Sequence, residues 1–431
     1  MHTFDLSVDE ISKIEGKARL SVVVKDDVIE KVQFSITEFK RFYTQAIRGK
    51  DVAGVPQLTA RICGTCSNAH LLCAIKAIEN ALQITPSDQT VLLRKLLNYG
   101  LIIRDHALHL YFFALPDIIG VDSLLDLDEN NDEYHQILHD VFEIKSVGNA
   151  LGKTIGGRSV HAPFVAVGGF TRLPDEEHCK KLIAELEALR PTVLRTITLF
   201  QKCTFALERK IKYVSLKSND FNFLDGVMTM HDGSTLSDQE YSDYLTHVVI
   251  PHSHASGYTF QSDTYMVGAL ARLNNGKDTL HPTTKKDVKN VLSLFPSLNI
   301  YHNNLAQALE ILHAVDSSLD ILKTLTIAQE APQAIIRKKS SGIGIIEAPR
   351  GILFYSLSID ETGKITTVRI VVPTGQNQIG IEKSIREYLT ENLHKDKQTL
   401  IGEIEQIIRA YDPCMSCASH FLKVSWKKKH S

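Results

Sequence analysis

RICGTCSNAH (residues 61–70) and YDPCMSCASH (residues 411–420) each hold a Cys-x-x-Cys followed by a histidine. The two thiol pairs lie about 350 residues apart, so a chain that uses them together must bring its two ends to one place. After the first pair, AHLLCAIKAIENAL carries apolar residues at helical spacing, which predicts that the pair sits at the start of a helix. Thiolates are favoured there by the helix dipole. Before the second pair, KQTLIGEIEQIIRAY reads as a helix that Pro413 stops.

Four thiolates can hold zinc, an iron–sulfur cluster or a softer transition metal. Zinc ribbons place their two pairs roughly 15–20 residues apart, which argues against a small structural zinc unit here. The chain has seven cysteines, an odd number that makes a poor disulfide framework. Cys73, Cys179 and Cys203 fall on apolar helical patterns and read as packing residues. Metal or redox chemistry in a reducing compartment is the reading.

Composition adds limits. The 431 residues are 43% hydrophobic and 23% charged, ordinary for a globular protein with a large core. With 48 Lys+Arg against 50 Asp+Glu, nothing points to nucleic acid. No signal peptide is recognised at the start, and no stretch reaches the roughly 18–20 apolar residues of a membrane span. A cytoplasmic location is the expectation.

ARLSVVVKDD and VIEKVQFSI read as a β-hairpin around Lys-Asp-Asp, and GILFYSLSIDETGKITTVRIVV as a second. Long helical patterns cover VLLRKLLNYGLIIRDHALHLYFFAL, YHQILHDVFEIKSVGNALGKTI and NLAQALEILHAVDSSLDILKTL. Pro116 and Asp117 are expected to break the first of these. A further helix is expected to open with Pro174 in its first turn and to end or kink at Pro191. KKDVKNVLSLF also reads as helical, and residues 213–284 read as irregular. His252 and His254 are tempting as a metal pair, but with no carboxylate in register they read as loop residues. The fold class is α+β: one large helix-rich domain spanning residues 1–431, a long helical bundle with small peripheral sheets.

The sequence resembles the large subunit of nickel–iron hydrogenases. The resemblance rests on RICGTC and DPCMSCASH, with KIEGKARL, IIRDHALHLYFFALPD, GGRSVHAPFVAVGG, EAPRG and VVPTGQNQ in order between them. TGQNQ looks more like the cytoplasmic multi-subunit type. The resemblance implies that family's large-subunit fold and a nickel ion bridged to an iron carrying carbon monoxide and cyanide. Cys63 and Cys414 would be terminal nickel thiolates, and Cys66 and Cys417 would bridge the two metals.

Reversible heterolytic cleavage of dihydrogen needs a hydride acceptor and a base. Arg350, in EAPRG, matches the family arginine over the open metal position, and Asp105 and Asp412 match acidic residues of the same canopy. Without the motif, Arg350 would read as a surface ion pair, Asp105 as a helix-surface charge and Asp412 as a turn residue. Glu15, in KIEGKARL, matches the glutamate that passes protons to and from a nickel thiolate. The bland reading is an exposed strand-edge charge. His70 matches a hydrogen-bonding partner of a bridging sulfur, with a core histidine as the alternative. Pro373 and Thr374 match the segment that hydrogen-bonds a cyanide. His420 matches a ligand of a magnesium ion, but Thr44 stands where the family supplies a glutamate, 19 residues before Cys63. A neutral hydroxyl is a poorer ligand for a hard dication. The histidine usual after EAPRG is also replaced, by Phe354-Tyr355.

No cysteines remain for an iron–sulfur relay, so a small partner subunit carrying such clusters is expected. Further electron-transfer subunits, for a nicotinamide or a deazaflavin, fit the same reading. The resemblance also implies nickel-insertion proteins and a maturation endopeptidase, with residues 421–431 as a cleavable extension. A retained tail is the alternative, and Lys427 to Lys429 read as a solvated charge run. Rival functions are a dihydrogen sensor, which keeps the same site, and a zinc-binding structural subunit.

Overall fold

Short strands at the N-terminus lead into long helices, and the chain then returns through two more hairpin-rich regions to its starting point. The computed structural model describes residues 3–419, so His420 and the extension 421–431 lie outside the described residues. The first sheet is antiparallel, with β1 (Phe4–Val8), β2 (Ala18–Lys25) and β3 (Val28–Ile36) in that order. Ala18, Leu20, Val22 and Val24 alternate into the core, as period-2 patterning requires. Asp26 and Asp27 take left-handed φ values of 48° and 64°, the turn geometry that matches strand twist.

The helices follow. They are α1 (Ser67–Leu82), α2 (Asp88–Leu108), α3 (Asp132–Gly156), α4 (Glu176–Gln201), α5 (His302–Thr324), α6 (Pro373–Asn392) and α7 (Lys397–Ala410). α2 packs against α3 and α5, and α5 also packs against α4. α1 and α5 are buried on almost all sides, which places them at the centre rather than on the surface.

Two proline expectations are corrected. Pro116 does not break the α2 pattern: residues His109–Ala114 widen into a π-helical turn, and the helix continues over Leu115–Ile119 with the proline in its first turn. Pro191 does not end α4, which runs on through it: the proline sits on the exposed face, where the carbonyl it leaves unpaired can be hydrated. Pro174 precedes the helix, whose N-cap is Asp175, accepting from the His178 amide at 2.9 Å.

The region read as irregular contains small sheets. Lys212–Lys217 lies between Tyr265–Met266 and Val227–Met230, with Thr235–Leu236 beyond, and Leu245–Val249 pairs with Ser256–Phe260. KKDVKNVLSLF divides into two short helices, Pro282–Asp287 and Lys289–Leu292.

The second hairpin is part of a three-stranded sheet, β4 (Ser340–Ala348), β5 (Gly351–Ile359) and β6 (Ile365–Val371). This sheet is central rather than peripheral, because β4 lies against α1. A Cβ on Gly342 would stand 2.4 Å from the Ala77 carbonyl oxygen, and one on Gly344 would stand 2.6 Å from the Ala77 nitrogen. The two glycines let strand and helix backbones touch.

Candidate metal centre

Four elements converge where the chain ends meet. Cys63 follows a 3₁₀ turn, Ala60–Ile62, and Cys66 caps the N-terminus of α1. Beyond α7, Tyr411 ends the helix and Asp412 turns the chain with a left-handed φ of 47°. Cys414 then caps α8 (Met415–Ala418), which carries Cys417. The N-terminal segment completes the junction: Glu15 forms a parallel bridge with Cys414, and its carbonyl accepts the Met415 amide at 2.9 Å.

All four sulfurs are buried and lie within 4.8 Å of one another, and theirs is the one such group of potential ligands among the described residues. Cys63 Sγ is 3.5 Å from Cys414 Sγ, Cys66 Sγ is 3.2 Å from Cys417 Sγ, and Cys414 Sγ is 3.0 Å from Cys417 Sγ. Thiol donors, Cys414 first, hold Cys63 well below the usual thiol range, whereas burial pushes Cys414 and Cys417 well above it. Burial and the closeness of the four sulfurs thus oppose ionising all of them together. Ionising all four requires positive charge in their midst, and the donor set fits a soft, thiolate-loving metal centre.

Around the sulfurs stands a polar canopy. Arg350 sits at the β4–β5 turn, fixed by Gly351, whose φ of 127° and lack of a Cβ allow a close approach to Val267. Its Nη1 donates to Asp105 Oδ2 at 2.6 Å, and its Nη2 lies 3.0 Å from Asp412 Oδ1. The second contact is poorly aligned, so Nη2, Nε and Asp412 Oδ1 each keep an unmet hydrogen bond although buried. Burial opposes the charge of Arg350, but Asp105 and Asp412 outweigh it and hold the guanidinium well above its ordinary range. Asp105 and Asp412 are each 1% exposed, so neither is a surface charge.

Glu15 is half-buried. Its Oε2 accepts from Cys414 Sγ at 3.0 Å and from the Ser416 amide at 3.0 Å. Burial, aided by the Cys63 charge, raises its carboxyl above the ordinary range. Thr374, just after Pro373 at the start of α6, accepts the Cys414 amide on its hydroxyl oxygen at 2.9 Å, leaving the O–H proton for a second acceptor. His70 places Nε2 3.6 Å from Cys417 Sγ.

Thr44 is buried and its hydroxyl has no hydrogen-bond partner, and His420, the other residue expected at that ion, lies outside the described residues. His252 does have a carboxylate partner, Glu382 at 2.7 Å, while His254 bonds the Glu38 carbonyl at 3.0 Å, so the two are tied to different groups. Cys73 and Cys179 are buried and Cys203 half-buried.

Several residues at the site go unread in the sequence. Arg104 donates to the Thr65 carbonyl at 2.5 Å, directly bracing the first Cys-x-x-Cys. Gln307, in mid-α5, donates to Asp412 Oδ2 at 2.8 Å, and its oxygen meets His109 Nδ1 at 2.6 Å. The adjacency of Arg104 to Asp105 is a usable signal, whereas a lone glutamine inside an apolar helix carries none.

Comparison with known proteins names this arrangement. The sequence model of the family described as "Nickel-dependent hydrogenase" matches residues 41–147 and 251–420, which include all four cysteines. This chain belongs to the nickel-dependent hydrogenases. The alpha subunit of sulfhydrogenase 1 from Pyrococcus furiosus is 31% identical over 425 residues, covering 97% of this chain and 98% of that protein. A subunit of the F420-non-reducing hydrogenase from Methanothermobacter thermautotrophicus is 28% identical, covering 96% of this chain and 94% of that one. In fold, this hydrogenase chain superposes on an NAD+-reducing [NiFe]-hydrogenase crystallised in the H2-reduced state with a TM-score of 0.85, at 21% identity and over 97% and 100% of the two chains. The α+β architecture is thus that of nickel–iron hydrogenase large subunits.

Proposed function

We propose that this chain is the catalytic large subunit of a cytoplasmic, multi-subunit nickel–iron hydrogenase, which cleaves dihydrogen reversibly into protons and electrons. The observation that carries the reading is the four-sulfur cage closed by the two chain ends. Cys63, Cys66, Cys414 and Cys417 would hold the nickel–iron centre between them, with carbon monoxide and cyanide expected on the iron. When bound, that centre would supply redox-active Lewis-acid chemistry for dihydrogen cleavage.

The chain's own groups handle the proton and the environment. Glu15, in hydrogen-bond contact with Cys414 Sγ and with its carboxyl raised, is suited to receive a proton from that sulfur and pass it outward. Arg350, pinned by Asp105, offers two unmet donors to a small guest near the cage and polarises it without giving up its own proton. The hydroxyl of Thr374 and the free amides at the start of α6 are suited to donate to a cyanide. Thr44 brings no charge to a hard dication, so no magnesium is assigned there.

Electrons leave through a small subunit carrying iron–sulfur clusters, as the relatives named as subunits of larger hydrogenases suggest. No helix among the described residues is long and apolar enough to cross a membrane. Nickel-insertion proteins and an endopeptidase acting after His420 belong to the same reading, and mass spectrometry of nickel-loaded enzyme reads the outcome: an intact Ser431 terminus would refute obligatory processing.

Elemental analysis and infrared spectroscopy of the purified enzyme test the centre. Nickel and iron in equal amounts, with bands of bound carbon monoxide and cyanide, are expected. One equivalent of zinc without nickel or iron would overturn the proposal. Cys414→Ser is expected to abolish both nickel retention and turnover.

A further inference from the structure

Tyr355 lies on β5, wholly buried, with its hydroxyl 2.7 Å from Nδ1 of His70 on α1. The other ring nitrogen of that histidine faces Cys417 Sγ at 3.6 Å. The two rings meet edge to face, with centroids 6.1 Å apart. A phenol, an imidazole and a cage sulfur therefore form one continuous line.

Two proton arrangements satisfy the phenol–imidazole contact. In one, Tyr355 donates to a bare Nδ1, and Nε2 carries the hydrogen that faces sulfur. In the other, Nδ1 carries the hydrogen and Nε2 turns a lone pair toward the sulfur, which is repulsive once Cys417 is a metal-bound thiolate with no hydrogen of its own to give. Thr59, a second polar side chain beside the phenol, donates to the Pro56 carbonyl at 2.8 Å. Burial keeps the phenol protonated, so it always has a hydrogen to give. The first arrangement is the one that leaves no repulsion.

We propose that Tyr355 is a positioning residue: its hydroxyl fixes the tautomer of His70 and strengthens the Nε2–H hydrogen bond to Cys417, withdrawing electron density from that sulfur. Tyr355 touches no substrate and acts through His70. The resemblance expects a histidine in this stretch, where Phe354 and Tyr355 stand instead. A donor to Nδ1 makes the opposite N–H more acidic, and hydrogen bonds to a ligating sulfur raise the potential of the metals it binds.

The inference rests on the proposed assignment of Cys417, and its test has two arms. In the nickel-loaded enzyme with its partner subunits, Tyr355→Phe is expected to shift the carbonyl and cyanide stretches to lower wavenumber and the midpoint potential to more negative values. Turnover should fall about tenfold with nickel and iron content retained. Tyr355→His, which restores a donor, should move the bands back toward wild type. A purely structural tyrosine would lower the melting temperature and leave the bands in place, and unshifted bands in Tyr355→Phe overturn the proposal. The second arm needs no metal: the ¹⁵N resonance of His70 Nδ1 in the metal-free chain should show a hydrogen bond to the phenol, and lose that bond in Tyr355→Phe. An Nδ1 resonance unmoved by Tyr355→Phe overturns the proposal. Absence of the bands in wild type with the expected His70 resonances faults the reading of the centre and upholds the tyrosine–histidine bond.

Discussion

Arg350 shows how a single side chain is made usable by what surrounds it. A guanidinium 4% exposed is costly unless paired, and Asp105 and Asp412 supply that pairing while leaving Nε and Nη2 unspent. Lysine cannot reproduce this, because one ammonium cannot reach two carboxylates and still present a planar pair of donors. Arg350→Lys is therefore expected to lower turnover about a hundredfold or more with nickel content unchanged. Steady-state dihydrogen oxidation with an artificial acceptor reads this, and near-wild-type rates would refute it.

Residues of this kind differ in how far the sequence announces them. The cysteines and Arg350 sit inside short fixed-spacing motifs, and the geometry around them is local. Gln307 and Tyr355 come from the middle of a helix and a strand, and they reach the site only through packing across hundreds of residues. Nothing adjacent to them in sequence encodes that approach.

Among elements, legibility tracked length and periodicity. α2, α3 and α5 repeat their apolar positions over five or more turns and are found where the pattern puts them. The strands between 212 and 266 are two to six residues long and interrupted by Gly, Asp and Ser, so no alternation accumulates. β4 is hidden for a different reason. Gly342 and Gly344 depress its strand character, yet they are the residues that let it lie on α1.

α5 also carries a pH-sensitive tie. His313 accepts the His281 amide on Nδ1 at 3.0 Å and donates from Nε2 to the Phe221 carbonyl at 3.0 Å, an arrangement that only the neutral ring satisfies. Burial pushes its pKa down to about 4. The unfolded chain takes up this proton near pH 6.5, while the native one does so only near 4. Stability is thus full above about pH 6.5 and falls as pH drops toward 4, by about 2 kcal/mol at pH 5 from this group. His313→Asn should shrink the loss of thermal midpoint between pH 7 and pH 5. An unchanged loss would show that the ring does not govern the acid limb.

At the scale of the whole molecule, the cage is a clasp between the chain's two ends. Glu15, Cys63 and Cys66 come from the first sixth of the chain, and Cys414 and Cys417 from its last few per cent. Metal binding is therefore coupled to the global fold rather than to a local loop. Chain produced without nickel should unfold at lower denaturant than loaded enzyme, by about 3 kcal/mol if the metal is held a hundredfold below its working concentration. Limited proteolysis should then cut first after α7. Equal midpoints for the two forms would show that the clasp adds nothing to stability.

The separation of 351 residues between paired sulfurs also sets an order of events during synthesis. At about 5–20 residues per second, Cys63 and Cys66 leave the ribosome roughly 20–70 s before their partners exist. Through that interval the first thiol pair is an incomplete ligand set on a growing chain, exposed to any thiol-seeking metal or oxidant in the cell. The last helix among the described residues is thus the gate on its chemistry in time as well as in space.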